Sequence, residues 1–383
     1  KEVVDNATKI DSRIKYITPG SSVGMLENFE FALNHVKPGF VIALGGDDGL
    51  MPNAISKMNE IINKTGLELL AWPSSIYIYP DTKDSNGQLI LNIKNGKPLS
   101  GLKILKSSDF LNRQSKNLFY VSDIESPMVY VKGVVSTNLI NKVKSRTNNN
   151  KFYSCSTPDG YSGIVLAGEV EKYAFFGEPL TIFGVSPTSQ GKGYLSNNND
   201  MKKQSEEFFK NVVNIPMHKE LCYQPYSPLI SLMTADFLLT ARDLPGWKGK
   251  FDDINFKSLI NKALNELKDG LFSEDRIDRE LEIIKNIAIQ HGLEKYYLSK
   301  LKKTKRNKRS PLVGNAISPR LLYLDAKSLE LFNIFDASYF SYSLHKSSSN
   351  LSIKLLVNML FNSINYKIKS IRKSKPLYKT LCK

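Results

Sequence analysis

Cysteine is scarce and scattered. Cys155, Cys222 and Cys382 are odd in number, far apart and without metal-ligand spacing. That argues against a disulfide-stapled scaffold and fits a reducing compartment. Histidine is as sparse: His35, His218, His291 and His345 are dispersed, so no zinc site is expected. No stretch has the roughly 18 consecutive apolar residues of a membrane span. The opening, Lys1-Glu2-Val3-Val4-Asp5, has no apolar core and no Met. It is therefore no secretory signal, and it has the form of a trimmed or fragmentary start. Acidic residues are outnumbered, 37 Asp and Glu against 53 Lys and Arg, for a net charge of +16. These absences point to a cytoplasmic protein.

What is present is enough for a core. With 383 residues, 41% of them hydrophobic, the chain has the length for two domains. RIKYI (13–17) reads as a short strand. Met25 to Val36 has helical spacing at Leu26, Phe29, Leu33 and Val36, stopped by Lys37-Pro38-Gly39. Phe40 to Leu44 is a continuous apolar run, the pattern of a strand buried on both faces. Gly45-Gly46-Asp47-Asp48-Gly49 follows, and Pro52 opens a helix over 53–63. Leu67 to Trp72 is a further buried strand. Such alternation predicts a doubly wound α/β sheet, whose ligands bind beyond the carboxyl ends of its strands.

Residues 80–100 are polar and read as a surface excursion. Val129 to Val131 reads as a strand, Val134 to Val143 as a helix, and two short strands fall near 173–176 and 180–183. Residues 186–200 are a loop rich in Gly, Ser and Asn. A boundary near its end gives a first domain over 1–200 and a second region over 201–383. The second region reads as mainly helical, with helical spacing over 256–267, 277–289 and 293–301.

Adjacent carboxylates after an apolar strand suit a hard divalent cation, which takes oxygen ligands from one or two carboxylates and substrate phosphates. The flanking glycines let backbone approach a ligand. The plain alternative is an ordinary Asp-Gly turn at a strand end.

The flanking residues favour the cation. DSRIKYI…ENFEFALNHVKPGFVIALGGDDGLMPNAI resembles family 2 of the glycosyltransferases, which have the A-type fold. Asp11, Arg13, Ile14 and Tyr16 match a first-strand motif, and Asn28, Glu30, Ala32 and Leu33 a helix motif. Asp47, Asp48, Gly49, Leu50 and Pro52 match the acidic turn. The match is good over residues 1–75 and looser over 76–190. It implies a Rossmann-like mixed sheet whose first, base-binding strands would be missing from the start of this chain. It also implies Mg²⁺ or Mn²⁺ on Asp48, with Asp47 helping to hold the metal or the donor's sugar and ribose. Gly46 departs from the family, where many members carry a third Asp.

Inverting sugar transfer needs a base that deprotonates the acceptor hydroxyl. By resemblance it is an acidic residue at a helix start, and Pro158-Asp159-Gly160-Tyr161 fits that place. Asp159 is the candidate, although Asp after Pro is also a good helix cap. Asp123 and Glu125 are reserves, and His218 is a further candidate metal ligand. The implied partners are a nucleotide-sugar donor and a glycan or lipid-linked acceptor, in bacterial surface polysaccharide synthesis.

The C-terminal half is basic. A helix over 351–372 would carry Ile353, Leu356, Val357, Leu360, Phe361, Ile364, Ile368 and Ile371 on one face, with Lys and Arg gathering toward its end. Such a helix suits the anionic inner face of a membrane, or else packs on a core. Two rival functions stay open. One is nucleic-acid binding, which the charge permits but no zinc finger, RNP pattern or clear helix-turn-helix supports. The other is a non-catalytic remnant or binding module.

Overall fold

A computed structural model describes residues 2–80, 87–94, 97–189, 215–268, 272–306 and 314–346, with isolated residues beyond. The fold is α/β with mixed sheets. In chain order the strands are β1 (Phe40–Val41), β2 (Gly49–Leu50), β3 (Leu69–Ala71), β4 (Ser75–Ile78), β5 (Gln88–Lys94), β6 (Lys97–Pro98) and β7 (Leu102–Lys106). They continue as β8 (Gly133–Ser136), β9 (Lys172–Phe176), β10 (Thr181–Val185), β11 (Lys305–Arg306), β12 (Ala316–Ile317) and β13 (Leu321–Asp325). One five-stranded sheet has the order β1-β8-β3-β9-β7. A seven-stranded sheet runs β12-β13-β5-β4-β10-β2, with β6 paired to β5.

The two sheets share their chain. β3 leads directly into β4 and β9 into β10; β3 pairs with β9 in parallel, as β4 does with β10. At this joint Trp72 is fully buried. Its indole N–H points at Val131 O (3.1 Å) and at Thr181 Oγ1 (2.8 Å), while its backbone N–H donates to Lys132 O (3.1 Å). β1 and β2 each lie at an edge, one in each sheet, and the acidic turn links them.

The helices are α1 (Glu2–Ile10), α2 (Met25–Leu33), α3 (Ala54–Thr65), α4 (Ser107–Asn117), α5 (Thr137–Lys144) and α6 (Pro158–Ala167). Then come α7 (Ile230–Arg242), α8 (Phe256–Glu266), α9 (Glu274–Gln290), α10 (Glu294–Leu301) and α11 (Ile334–Lys346). Strand residues alternate between two cores, as a period of two requires. Leu69, Ala71, Val135, Tyr173 and Phe175 face a core shared with α4, α6 and α7–α10. Leu70, Val134, Ala174 and Phe176 face one shared with α3, the second sheet and α11. The α11 helix is pinned by Ser341 Oγ to Ser75 Oγ (2.7 Å), and the segment before it by Tyr77 Oη donating to Leu331 O (2.7 Å).

Several expectations change. RIKYI is not a strand. Asp11 folds the chain back by accepting from Arg13 N (2.9 Å) and from its guanidinium, and Ile14, Tyr16 and Ile17 stay exposed because no strand pairs them. The Phe40–Leu44 run is not doubly buried either. Its β1 is paired on one side only, so Phe40 and Leu44 are exposed. Residues 88–94 form a strand with Leu89, Leu91 and Ile93 buried, rather than a surface excursion. Residues 134–136, read as the start of a helix, belong to β8, and α5 starts only at Thr137. Beyond 200 the described residues are mainly helical, as expected, while β12 and β13 extend the sheet of the first part through β5. The helix expected over 351–372 and the boundary near 200 lie outside the described residues. Among the described residues, no helix is long and apolar enough to cross a membrane.

The layer behind α6 carries a buried carboxylate. Glu266 accepts from Ile230 N (2.6 Å) and Ser231 N (2.9 Å), closing the N-terminus of α7. Burial raises its pKa from 4.5 to about 7, with Glu280 adding in the same direction. A raised acid stabilises the fold fully below its unfolded pKa and loses that contribution as pH rises through the folded one. Thermal melts should show stability falling between pH 4.5 and about 7, and Glu266→Gln should flatten that slope. Separately, Trp72→Phe removes the buried donor shared by Val131 O and Thr181 Oγ1, although Val131 O keeps the Thr181 hydroxyl, and should cost about 1–3 kcal/mol by urea unfolding. An unchanged midpoint would show that the indole N–H is not needed.

Candidate functional site

The acidic turn is folded by its own second carboxylate. Asp48 N donates to Gly45 O (3.2 Å), and Asp48 Oδ2 accepts from Gly45 N (2.6 Å). Asp48 Oδ1 accepts from Gly184 N (2.9 Å), which ties the turn to β10. Tyr130 adds its hydroxyl to the same carboxylate. Burial raises the pKa of Asp48, and the hydrogen bonds from Gly184, Gly45 and Tyr130 oppose that rise. Burial, and then the Asp48 charge, hold the Tyr130 hydroxyl in its neutral form.

Asp47 points elsewhere. Its Oδ2 accepts from Ser186 Oγ (2.8 Å) and Ser189 Oγ (3.0 Å), and its carbonyl accepts from Tyr79 Oη (3.3 Å). Glycine is required behind it. A Cβ on Gly184 would stand 1.8 Å from Asp47 O, and real Cβ atoms do not approach backbone so closely. Gly45 is hemmed by oxygens. A Cβ there would meet Tyr130 Oη at 2.6 Å, Asp48 Oδ2 at 2.9 Å and Asp47 Oδ1 at 3.2 Å.

Three oxygens thus converge beside Gly45, and the donor set has no nitrogen or sulfur. Oxygen is the donor type that a hard divalent cation takes, although one of the three is the Tyr130 hydroxyl that already bonds Asp48. Among the described residues no group of three or more His, Cys, Asp or Glu gathers. A cation here would take the two turn carboxylates and complete its shell with water or ligand phosphates.

Asp159 lies in the first turn of α6, after Pro158, and Thr157 rather than Asp159 occupies the cap position. Tyr120 hydrogen-bonds the Asp159 carboxyl, while Asp159 Oδ1 is buried with no hydrogen-bond partner among the described residues. Burial raises its pKa, opposed by local backbone N–H groups, Tyr120 and the charge of Lys132. Lys132 is itself buried and donates from Nζ to Asp123 O (2.9 Å), and burial lowers its pKa to about 8.

Tyr130 is held by the turn and also feels the charge of Asp159. It bonds Asp48 and sits in the fields of Asp47 and Asp159. The other candidates are engaged elsewhere. Asp123 Oδ2 accepts from Arg113 Nε (3.1 Å) and Gln114 Nε2 (2.8 Å), and Glu125 from Arg113 Nη2 (2.8 Å). Both ring nitrogens of His218 are used, Nδ1 with Glu220 N (3.2 Å) and Nε2 with Asp243 (3.0 Å).

Sequence reasoning missed Tyr130, Gly184, Ser186 and Ser189. Tyr130 carried only the signal of an aromatic between two valines. The other three lie in β10 and the loop after it, and nothing local marks a loop as facing a turn so distant in the chain. No family model matches the chain, and no curated protein matches it.

Gly184→Ala should unseat the turn. Amide exchange at Gly45 should speed by about tenfold or more, since Asp48 no longer holds it, corresponding to about 1.4 kcal/mol. Exchange at the wild-type rate would mean that β10 does not clamp the turn.

Proposed function

We propose that this chain is a nucleotide-sugar-dependent glycosyltransferase that moves a sugar to a hydroxyl of a glycan or lipid-linked acceptor, with inversion. The observation that carries the reading is that Tyr130, whose hydroxyl bonds Asp48, also lies within reach of the charge of Asp159. The sequence resemblance assigns complementary roles to these two places, and they are far apart in the chain.

Asp47 and Asp48 would hold Mg²⁺ or Mn²⁺, which supplies Lewis-acid neutralisation of the departing diphosphate. Asp159 takes the proton of the acceptor hydroxyl. The acceptor oxygen bonds to the anomeric carbon, and the bond from that carbon to the phosphate oxygen breaks. Its electron pair leaves with the nucleoside diphosphate. The raised pKa of Asp159 suits it to this task, because a stronger base accepts the proton more readily. Its buried Oδ1 has no partner to displace among the described residues. Tyr130 keeps the turn carboxylate oriented as charge changes nearby. The resemblance adds a setting in bacterial surface polysaccharide synthesis, on the inner membrane face, which the basic C-terminal half would approach electrostatically.

One observation favours a second reading. Both Asp48 oxygens already accept backbone N–H groups, as they would if the carboxylate only stapled the turn in a binding module. The two readings separate in Asp48→Asn and Asp159→Asn. Nucleotide-sugar hydrolysis or transfer, stimulated by Mg²⁺ or Mn²⁺, should fall by about 100-fold or more in each variant. The melting temperature of Asp159→Asn should hold. Wild-type protein that neither turns over nor binds a nucleotide sugar with metal present would overturn the transferase.

A further inference from the structure

The α11 helix has two unlike faces. Ala337, Ser338 and Ser341 are buried, and Ser341 Oγ meets Ser75 Oγ of the second sheet. At about 100° per residue, Phe335, Tyr339, Tyr342 and Lys346 fall within a narrow arc on the side away from Ala337 and Ser341. Phe332, just before the helix, and Phe335 and Tyr339 within it are 60%, 66% and 49% exposed. The Phe335 and Tyr339 rings meet with centroids 4.8 Å apart. Single exposed apolar side chains are ordinary, but three aromatic rings in one row make a contact surface.

The row is too small to join two copies of the chain. An aromatic side chain covers about 150–250 Å², so at these exposures the three rings leave about 350 Å² open, against about 800 Å² per partner in a standard interface. A bilayer surface sets no such minimum. A few rings enter its headgroup layer while charge holds the protein to it.

The charge nearby is basic. Lys346 ends the row, with Nζ over the Tyr342 ring at 5.6 Å. The only carboxylate of α11, Asp336, is taken up by Asn333 Nδ2 (2.6 Å). Ahead of Phe332, the exposed Lys327 and Glu330 offset each other. Residues 347–383, which continue from α11, carry eight Lys and Arg and no Asp or Glu.

The row also has a fixed place relative to the acidic turn. Ile334, between Phe332 and Phe335, packs on Gly49, the last residue of the turn. A Cβ on Gly49 would stand 3.2 Å from Ile334 Cγ1.

We infer that the aromatic row of α11 is a membrane-contact surface, whose Phe332, Phe335 and Tyr339 rings enter the headgroup layer of an anionic bilayer beside the acidic turn. The binding stands without the transferase reading. Its consequence rests on that reading: a lipid-linked acceptor is presented to the turn without leaving the membrane.

The experiment is cosedimentation of the full chain with vesicles of phosphatidylcholine alone and of phosphatidylcholine mixed with phosphatidylglycerol. Wild type should bind the anionic vesicles more tightly, by about tenfold or more. Phe335→Ser combined with Tyr339→Ser should weaken that binding by about tenfold or more, because binding scales with the apolar area that enters. Both positions are exposed, so the melting temperature should hold. Phe335→Trp is the second variant and keeps a ring in the row. Its added indole emission, taken as the difference from wild type, should shift to the blue on anionic vesicles, a signal that charge attraction alone does not give. The inference is overturned if wild type does not bind anionic vesicles, if the double variant binds as wild type does, or if the Phe335→Trp emission does not move. A wild-type dimer that the double variant converts to monomer in sedimentation also overturns it, since the row then joins two copies. Nucleotide-sugar hydrolysis is read in parallel without vesicles. Vesicle binding without hydrolysis removes the transferase and keeps the surface, and hydrolysis without vesicle binding does the reverse.

Discussion

The indole N–H of Trp72 sits where the chain passes from one sheet to the other, between Val131 O and Thr181 Oγ1. Thr181 also donates to Val131 O, so three segments meet in one buried polar knot. Buried polar groups cost free energy unless they are paired, and these are paired only with the segments in this register. That register sets where β10 ends. Gly184 then faces the acidic turn, and its N–H reaches Asp48. Val131 also leads back to Tyr130, whose hydroxyl bonds Asp48. The placement of the acidic turn therefore depends on how the sheets are joined.

The site concentrates negative charge that burial disfavours. Asp48 and Asp159 both have raised pKa values for that reason. Each is moderated by donors: backbone N–H groups and Tyr130 for Asp48, local N–H groups, Tyr120 and Lys132 for Asp159. Asp48 accepts on both oxygens, whereas Asp159 retains a buried oxygen without a partner among the described residues. Their chemistry differs accordingly. The carboxylate of Asp48 is fixed on both its oxygens, and that of Asp159 is not.

Much of the fold was legible where a single element decides its own fate. The helices at 25–33, 54–65, 256–266 and 274–290 follow apolar spacing, and β3 follows a continuous apolar run whose residues are all buried. Legibility failed where a partner decides. Arg13–Ile17 has the residues of a strand but no strand beside it. Gln88–Lys94 sits in polar surroundings, yet becomes a strand because β4 and β13 pair with both its sides. The site follows the same division. Asp47, Asp48 and Asp159 announce themselves by local sequence and by resemblance. Tyr130, Gly184 and Ser186 become relevant only through contacts that the sheet topology creates.

The late position of β13 has a consequence for the order of assembly. It pairs with β5 along the length of the strand, although the two lie far apart in the chain. A ribosome releases residues in sequence, so β5 emerges long before the strand that will cover its open side. Loop closure over such a separation is entropically costly and slow to reward. The sheet that backs the acidic turn is thus completed only once β13 has emerged, long after β5. Until then β5 presents an unpaired edge, the kind of surface on which nascent chains associate wrongly.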